Sequence, residues 1–205
     1  MDIVGKVLAK IITYLFHPLL SPTLGMFILI NSGTHIANHD PRANTFIYLI
    51  TLMSTLLFPL LFLPFFLYRN MIKSIAMNEH KERVYPLLLT AVFYFFGFYL
   101  LQSYPFHEYF AAFLLASAIS IVFIMIISLK WKISAHMAGI GGLIGLILAI
   151  SLAYQVNLQL FFIVAFLISG FIGFARLKLN AHSAMQVAAG FALVFLTVLI
   201  TILAY

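Results

Sequence analysis

The chain has no cysteine, one tryptophan and only 5 acidic residues among 205. Without thiols it can build no disulfide and no thiolate nucleophile, and the cysteine-based zinc and haem-attachment patterns are excluded. No carboxylate sits clearly inside an apolar run, which weighs against a carboxylate proton relay through a membrane. Charged residues of both signs reach 8%, against about 25% in a soluble domain. There is no convincing internal repeat of the kind transporter halves often carry. No small-residue cleavage site follows the first apolar run, so we read no removable signal peptide.

What fills the chain instead is apolar: 64% hydrophobic residues, 22 of them phenylalanine, and a mean hydropathy of +1.14. Apolar runs cover residues 11–30, 45–68, 87–102, 109–129, 137–154, 158–175 and 184–205. A helix of ~20 residues crosses a hydrocarbon core. Backbone groups in lipid must be satisfied internally, and these runs are too long and too uniformly apolar for barrel strands. The predicted fold is therefore all-α, a polytopic transmembrane helix bundle of six or seven spans in a single domain over residues 1–205. The expected location is a bacterial inner membrane. His17-Pro18 and Pro22 predict a kink or a break in the first span. An alternative reading is an interfacial helix up to Phe16 followed by a short insertion. Gly139, Gly141, Gly142 and Gly145 mark the fifth span as one that neighbouring helices approach closely.

Polar residues gather in three islands: Lys81-Glu82-Arg83-Val84-Tyr85-Pro86, Lys130-Trp131-Lys132-Ile133-Ser134-Ala135-His136, and Arg176 through His182 to Gln186. Each follows an even-numbered span, so all three share one membrane face with the amino terminus. Lys6, Lys10, Arg69, Lys73, Lys81, Arg83, Lys130, Lys132, Arg176 and Lys178 fall on that face and only Arg42 on the other. The positive-inside rule makes the crowded face cytoplasmic. The net charge of +6 thus sits in short loops, where orientation and phosphate headgroups explain it better than nucleic acid does.

Together the islands supply Lys81, Arg83 and Arg176 as cations, Ser134 as a hydroxyl donor, and His136 and His182 as titratable groups. Cations and fixed donors stabilise the charge that a transferring phosphoryl group spreads over its oxygens. One histidine can attack phosphorus while the other protonates the departing alkoxide. Gln186 lies one helical turn after His182, so its carbonyl can accept the ring's other N–H. No carboxylate cluster is available to hold a metal, so the expected chemistry needs neither metal nor cofactor.

These residues resemble the type 2 phosphatidic acid phosphatases. That family carries Lys-x6-Arg-Pro, then Pro-Ser-Gly-His, then Ser-Arg-x5-His-x3-Asp. Here the third motif reads Arg176-x5-His182-x3-Gln186 and the second reads Ser134-Ala135-His136. A lysine, an arginine and a proline lie near the first position, at Lys81, Arg83 and Pro86. The resemblance implies a lipid phosphate as partner, His182 as the nucleophile forming a phosphohistidine, and His136 as the general acid. It assigns phosphate binding to Lys81, Arg83, Ser134 and Arg176. It also implies a site facing away from the cytoplasm, opposite to the charge count. The chain departs from the pattern at Gln186, which stands where the family has aspartate, at Ala135 for glycine, and in the spacing of the first motif. Glu79 or Glu82 could supply the missing negative charge from another loop.

Other polar residues read more plainly. Lys6, Lys10, Lys130, Lys132 and Lys178 are topology anchors beside spans, and Trp131, His80 and His107 are interfacial. His35 and His39 have the spacing of helical metal ligands, but Asn-His-Asp-Pro reads as a turn. His17 is a partner for the kink and, as a polar residue within a span, a second-rank site candidate. Two rival functions stand beside hydrolysis. One is a small transporter using His17, Asn31 and Gln102; the other is a degenerate lipid-phosphate binding protein, for which Gln186 is the best argument.

Overall fold

The computed structural model describes residues 2–34, 40–75, 77, 79–104 and 108–205; His35, His39 and His107 lie outside them. Among these residues ten α-helices follow in order: α1 (Asp2–Leu15), α2 (Ser21–Ile30), α3 (Pro41–Leu52), α4 (Phe58–Leu61), α5 (Leu63–Tyr68), α6 (Val84–Gln102), α7 (Glu108–Ser128), α8 (Ala135–Tyr154), α9 (Gln159–Lys178) and α10 (Ala184–Ala204). No strand occurs among the described residues. Among the described residues, seven helices or broken helices are long and apolar enough to cross a membrane. The architecture is the all-α polytopic bundle of an integral, multi-pass membrane protein.

Proline dictates where the spans break. In the first, Pro18 has no N–H to return to the preceding turn. Helix α1 stops at Leu15, and a 3-10 turn over Pro18–Leu20 leads into α2. The Nδ1 of His17 accepts the Leu19 N–H at 3.4 Å and caps that turn. In the second span Pro59 likewise removes a donor, and a π-helical stretch over Met53–Leu57 joins α3 to α4.

Several boundaries differ from the sequence reading, and those of α6, α8 and α9 matter for chemistry: α9 runs on to Lys178, so Arg176 lies in its last turn. Helix α6 begins at Val84, so Arg83 is its N-cap and Pro86 lies in its first turn. Proline is tolerated there because first-turn N–H groups have no intrahelical partner. Helix α8 begins at Ala135 behind Ser134 as N-cap, so His136 belongs to its first turn. The apolar-run criterion cut both helices short because their first turns carry polar residues.

The bundle is built around α8, which packs against α10, α9 and α2, while α7 packs against α6 and α10. The α8–α10 pairing depends on glycine. A Cβ on Gly141 would come within 2.5 Å of the Phe191 carbonyl oxygen, and one on Gly145 within 2.6 Å of that of Phe195. Gly145→Val is accordingly expected to push the two backbones apart and cost about 1–3 kcal/mol. Thermal unfolding of the purified protein in detergent measures it.

Candidate phosphate site

The three polar islands meet at one end of the bundle. The Arg83 guanidinium donates from Nη1 to the Ile133 carbonyl at 3.3 Å, joining the first island to the second. Its Nε donates to the Met77 carbonyl at 3.2 Å. The second and third islands are joined twice. The Ser134 N–H donates to the Gln186 carbonyl at 3.2 Å, and His182 Nδ1 lies 3.3 Å from the Lys132 carbonyl. Gly190 permits this approach: a Cβ there would fall 2.5 Å from the Ser134 carbonyl oxygen.

The hydrogen bonds of His182 fix its tautomer. Nδ1 faces two acceptors, the Lys132 carbonyl and Gln186 Oε1, each at 3.3 Å. A carbonyl oxygen can only accept, so Nδ1 carries the hydrogen and Nε2 keeps its lone pair. Gln186 holds this orientation through a second duty. Its Oε1 also accepts the Ser183 N–H at 3.0 Å, while Ser183 Oγ accepts the Gln186 N–H, closing a capping box at the start of α10. The expected Gln186–His182 contact is therefore present. Ser183-x-x-Gln186 is a recognisable helix-start signature, and a glutamine meets it.

The surroundings of His182 keep it neutral. It is 7% exposed, and burial is the largest influence lowering its pKa, followed by Arg176, Arg83 and Lys132. Against a raising contribution from the Lys132 carbonyl, the group falls from 6.5 to about 4. The folded protein thus leaves Nε2 unprotonated at neutral pH. Between 6.5 and about 4 the unfolded chain binds a proton here that the folded chain refuses, so this site favours folding above 6.5 and loses that contribution toward 4. The melting temperature should consequently fall more between pH 7 and pH 5 for wild type than for His182→Gln.

Three cations surround this imidazole. Burial lowers the pKa of Lys132, with Arg83 and Arg176 next, which places all three in one electrostatic neighbourhood. Among the described residues none of the three forms a salt bridge with a carboxylate. Arg176 donates from Nη1 to Thr13 Oγ1 at 3.4 Å, but its buried Nε has no hydrogen-bond partner. A partly buried guanidinium with an unsatisfied donor, beside two further unpaired cations, is costly unless an anion is bound.

His136 stands at the wall of this cluster. Its Nε2 lies 3.2 Å from the Thr13 carbonyl and must be the donor, leaving Nδ1 as its free edge. Thr13 belongs to the last turn of α1, whose terminal carbonyls lack helical partners because of the break before Pro18. The His17 ring contacts that of His136 edge-on, with centroids 5.7 Å apart. The broken first span therefore belongs to the site.

The structure sorts the predicted residues. His182, Gln186, Arg176, Arg83 and His136 come together. Ser134 does too, but as a fully buried N-cap whose Oγ accepts the Met137 N–H at 3.5 Å. Lys81 stays exposed, and among the described residues no hydrogen bond or salt bridge ties it to the cluster. Lys132, expected to be only a topology anchor, takes its place. The carboxylates offered as charge partners for His182 are engaged elsewhere: Glu79 pairs with Lys73 at 2.6 Å, and Glu82 accepts the Lys73 backbone N–H at 3.3 Å. His80, expected at the interface, hydrogen-bonds the Ser128 carbonyl at 2.8 Å through Nδ1 and ties its loop to α7. Thr13 was not foreseen, and no local signal marks it; its partners lie 123 and 163 residues away. No protein-family model, curated protein or solved structure matches the chain.

Proposed function

We propose that the protein is a membrane-embedded phosphatase acting on the phosphomonoester or diphosphate of a lipid. The observation that carries this reading is a set of cations, Arg83, Lys132 and Arg176, around a histidine whose Nε2 lone pair is free. Among the described residues the three make no salt bridge, although Glu82 offsets part of the charge at Arg83. In the proposed reaction Nε2 of His182 forms a bond to phosphorus as the bond from phosphorus to the lipid oxygen breaks. The three cations take up charge on the equatorial oxygens. His136, held by Thr13 through Nε2–H, presents only the Nδ1 lone pair, so it relays a proton and holds none of its own there: Nδ1 takes the proton of the monoanionic substrate phosphate and passes it to the departing oxygen. Water then attacks the phosphohistidine, returning His182 and releasing phosphate. Phosphatidate, phosphatidylglycerol phosphate, a polyprenyl diphosphate and a lipid A phosphate all present the required group.

A second reading, phosphate binding without turnover, is favoured by one feature. Both acceptors of His182 Nδ1–H are neutral carbonyls, and among the described residues no carboxylate bonds to the ring to stabilise the imidazolium that attack creates. Phosphate release from a panel of lipid phosphates, assayed with EDTA, separates the two. Release together with an acid-labile phosphohistidine supports hydrolysis; tight phosphate binding with no release across the panel supports the second reading. Lys132→Ala is expected to weaken activity or binding roughly 10-fold, the value of one partly exposed charge contact at about 1.4 kcal/mol. Lys81→Ala should leave both unchanged.

We propose the cytoplasmic face for the site, because all but one of the lysines and arginines fall on that side, and a bacterial inner membrane for the protein. The natural lack of cysteine makes this easy to check. A single cysteine at position 42 should react with an impermeant maleimide in intact cells and one at position 132 should not; the reverse pattern would invert the assignment.

A further inference from the structure

Helix α1 is the least embedded part of the first span, and its surface has three distinct sides. Ile3, Val4, Val7, Leu8, Ile11, Tyr14 and Leu15 are all exposed and form one continuous stripe at helical spacing. Gly5, Ala9, Ile12 and Phe16 occupy the opposite side, with Ala9 fully buried, and α1 packs on α9. Lys6 and Lys10 lie exposed along one edge between these two sides.

Its level relative to the spans follows from its contacts. Thr13 touches His136, the second residue of α8, and Arg176, close to the end of α9. Gly5, at the other end of α1, lies against Lys178: a Cβ there would be 3.2 Å from Lys178 Cε. Roughly 12 Å of helix separates Gly5 from Thr13, yet both meet the same end of α9. Beyond the break, Pro18 and Ser21 sit against Gly139, one turn deeper along α8, and α2 continues from there into the bundle. The part of the first span that enters the bundle therefore starts at Pro18, and α1 lies at the boundary where the site opens.

We infer that α1 is an interfacial helix seated in the headgroup region of an anionic leaflet, and that Thr13 uses this seating to position Arg176 and His136. An apolar stripe of seven side chains at the level of the span ends is continuous with the lipid-facing belt, and a lysine edge beside it suits anionic headgroups. The stripe faces away from the protein, so lipid is the occupant that both the charge and the level select. Thr13 couples this surface to the site through two atoms. Its hydroxyl donates to the Ala9 carbonyl at 2.8 Å and offers its lone pair to Arg176, while its own carbonyl takes the His136 N–H. Thr13 is a positioning residue; this part of the inference rests on the phosphate-site reading.

The test uses the full chain in phosphatidylcholine–phosphatidylglycerol vesicles, with an environment-sensitive fluorophore on a single cysteine at position 8 or 10. The probe at position 8 should be quenched by lipids spin-labelled high on the acyl chain and shielded from aqueous iodide, and the probe at position 10 should be open to iodide and respond more weakly to the acyl-chain label. Iodide quenching at position 8 would overturn the interfacial seating. Disulfide formation between two position-8 cysteines at high dilution in lipid would overturn it too, assigning the stripe to a second copy. Binding of inorganic phosphate tests the coupling: Thr13→Val should weaken it several-fold and Thr13→Ser should restore it. Equal weakening in both variants would make Thr13 merely structural. Failure of the wild type to bind phosphate would remove the site and the coupling together, while the depth measurement would still decide the seating.

Discussion

His182→Ala is expected to reduce phosphate release by at least about 10⁴-fold, the scale on which removal of a nucleophile acts in covalent catalysis. The expectation is specific because Nδ1–H is fixed on two carbonyls and only Nε2 is left to attack. The variant should remain folded. The Ser183–Gln186 capping box survives without the imidazole, as does the hydrogen bond from the Ser134 N–H to the Gln186 carbonyl. Inorganic phosphate should still bind, because Arg83, Lys132 and Arg176 are untouched. Residual release within 10-fold of wild type would show that the reaction runs elsewhere in the molecule. Gln186→Asp is the companion experiment: it brings a carboxylate beside the ring and shortens the side chain of the capping box, so any gain in turnover would come with a weaker start to α10.

Arg176→Lys is expected to lower kcat/KM for lipid phosphate by roughly 10²–10³-fold, similar to losing one preorganised donor to developing negative charge. The substitution keeps the positive charge, so a site that needs only charge would barely respond. The guanidinium does more than carry charge. Nη1 is held by Thr13 Oγ1, which orients the plane, and buried Nε–H is left pointing without a protein acceptor. An ammonium group offers neither the fork nor the fixed plane. Steady-state kinetics on detergent-solubilised protein would read the effect. Near-wild-type activity in Arg176→Lys would show that Nε–H makes no contact with substrate.

Much of this could be read from the sequence, and the parts that could not have a common cause. The seven spans were legible because lipid demands long apolar helices, and the meeting of the islands was legible from parity alone: loops after even-numbered spans share a face. The contact between Gln186 and His182 was expected from helical spacing, but His182 precedes the Ser183 N-cap, and it is the capping box that turns Gln186 Oε1 back toward the ring. Lys132 was read only as an anchor because a lysine beside a span has an adequate explanation there, and only the fold shows that it neighbours Arg83, Arg176 and His182. Lys81 was favoured over it because proximity to Arg83 in sequence stood in for proximity in space. Thr13 was invisible for a stronger reason. Its role depends on a helix end created by Pro18 and on two partners from distant helices, and no local pattern records either.

The residues of the site all hang from helix ends: Thr13 closes α1, Arg83 opens α6, Ser134 and His136 open α8, Arg176 closes α9 and His182 precedes α10. Their mutual distances are therefore set by how far each rod stands out of the bilayer relative to its neighbours. A rise of 1.5 Å per residue means that slippage by a single residue along one axis exceeds the tolerance of any hydrogen bond in the cluster. Spans adjust to bilayer thickness by tilting, at a cost of fractions of a kcal/mol per Å. A site assembled this way is a vernier: small unequal tilts of α8, α9 and α10 bring its marks into or out of line, and the length of the surrounding acyl chains becomes one of the variables that set its geometry.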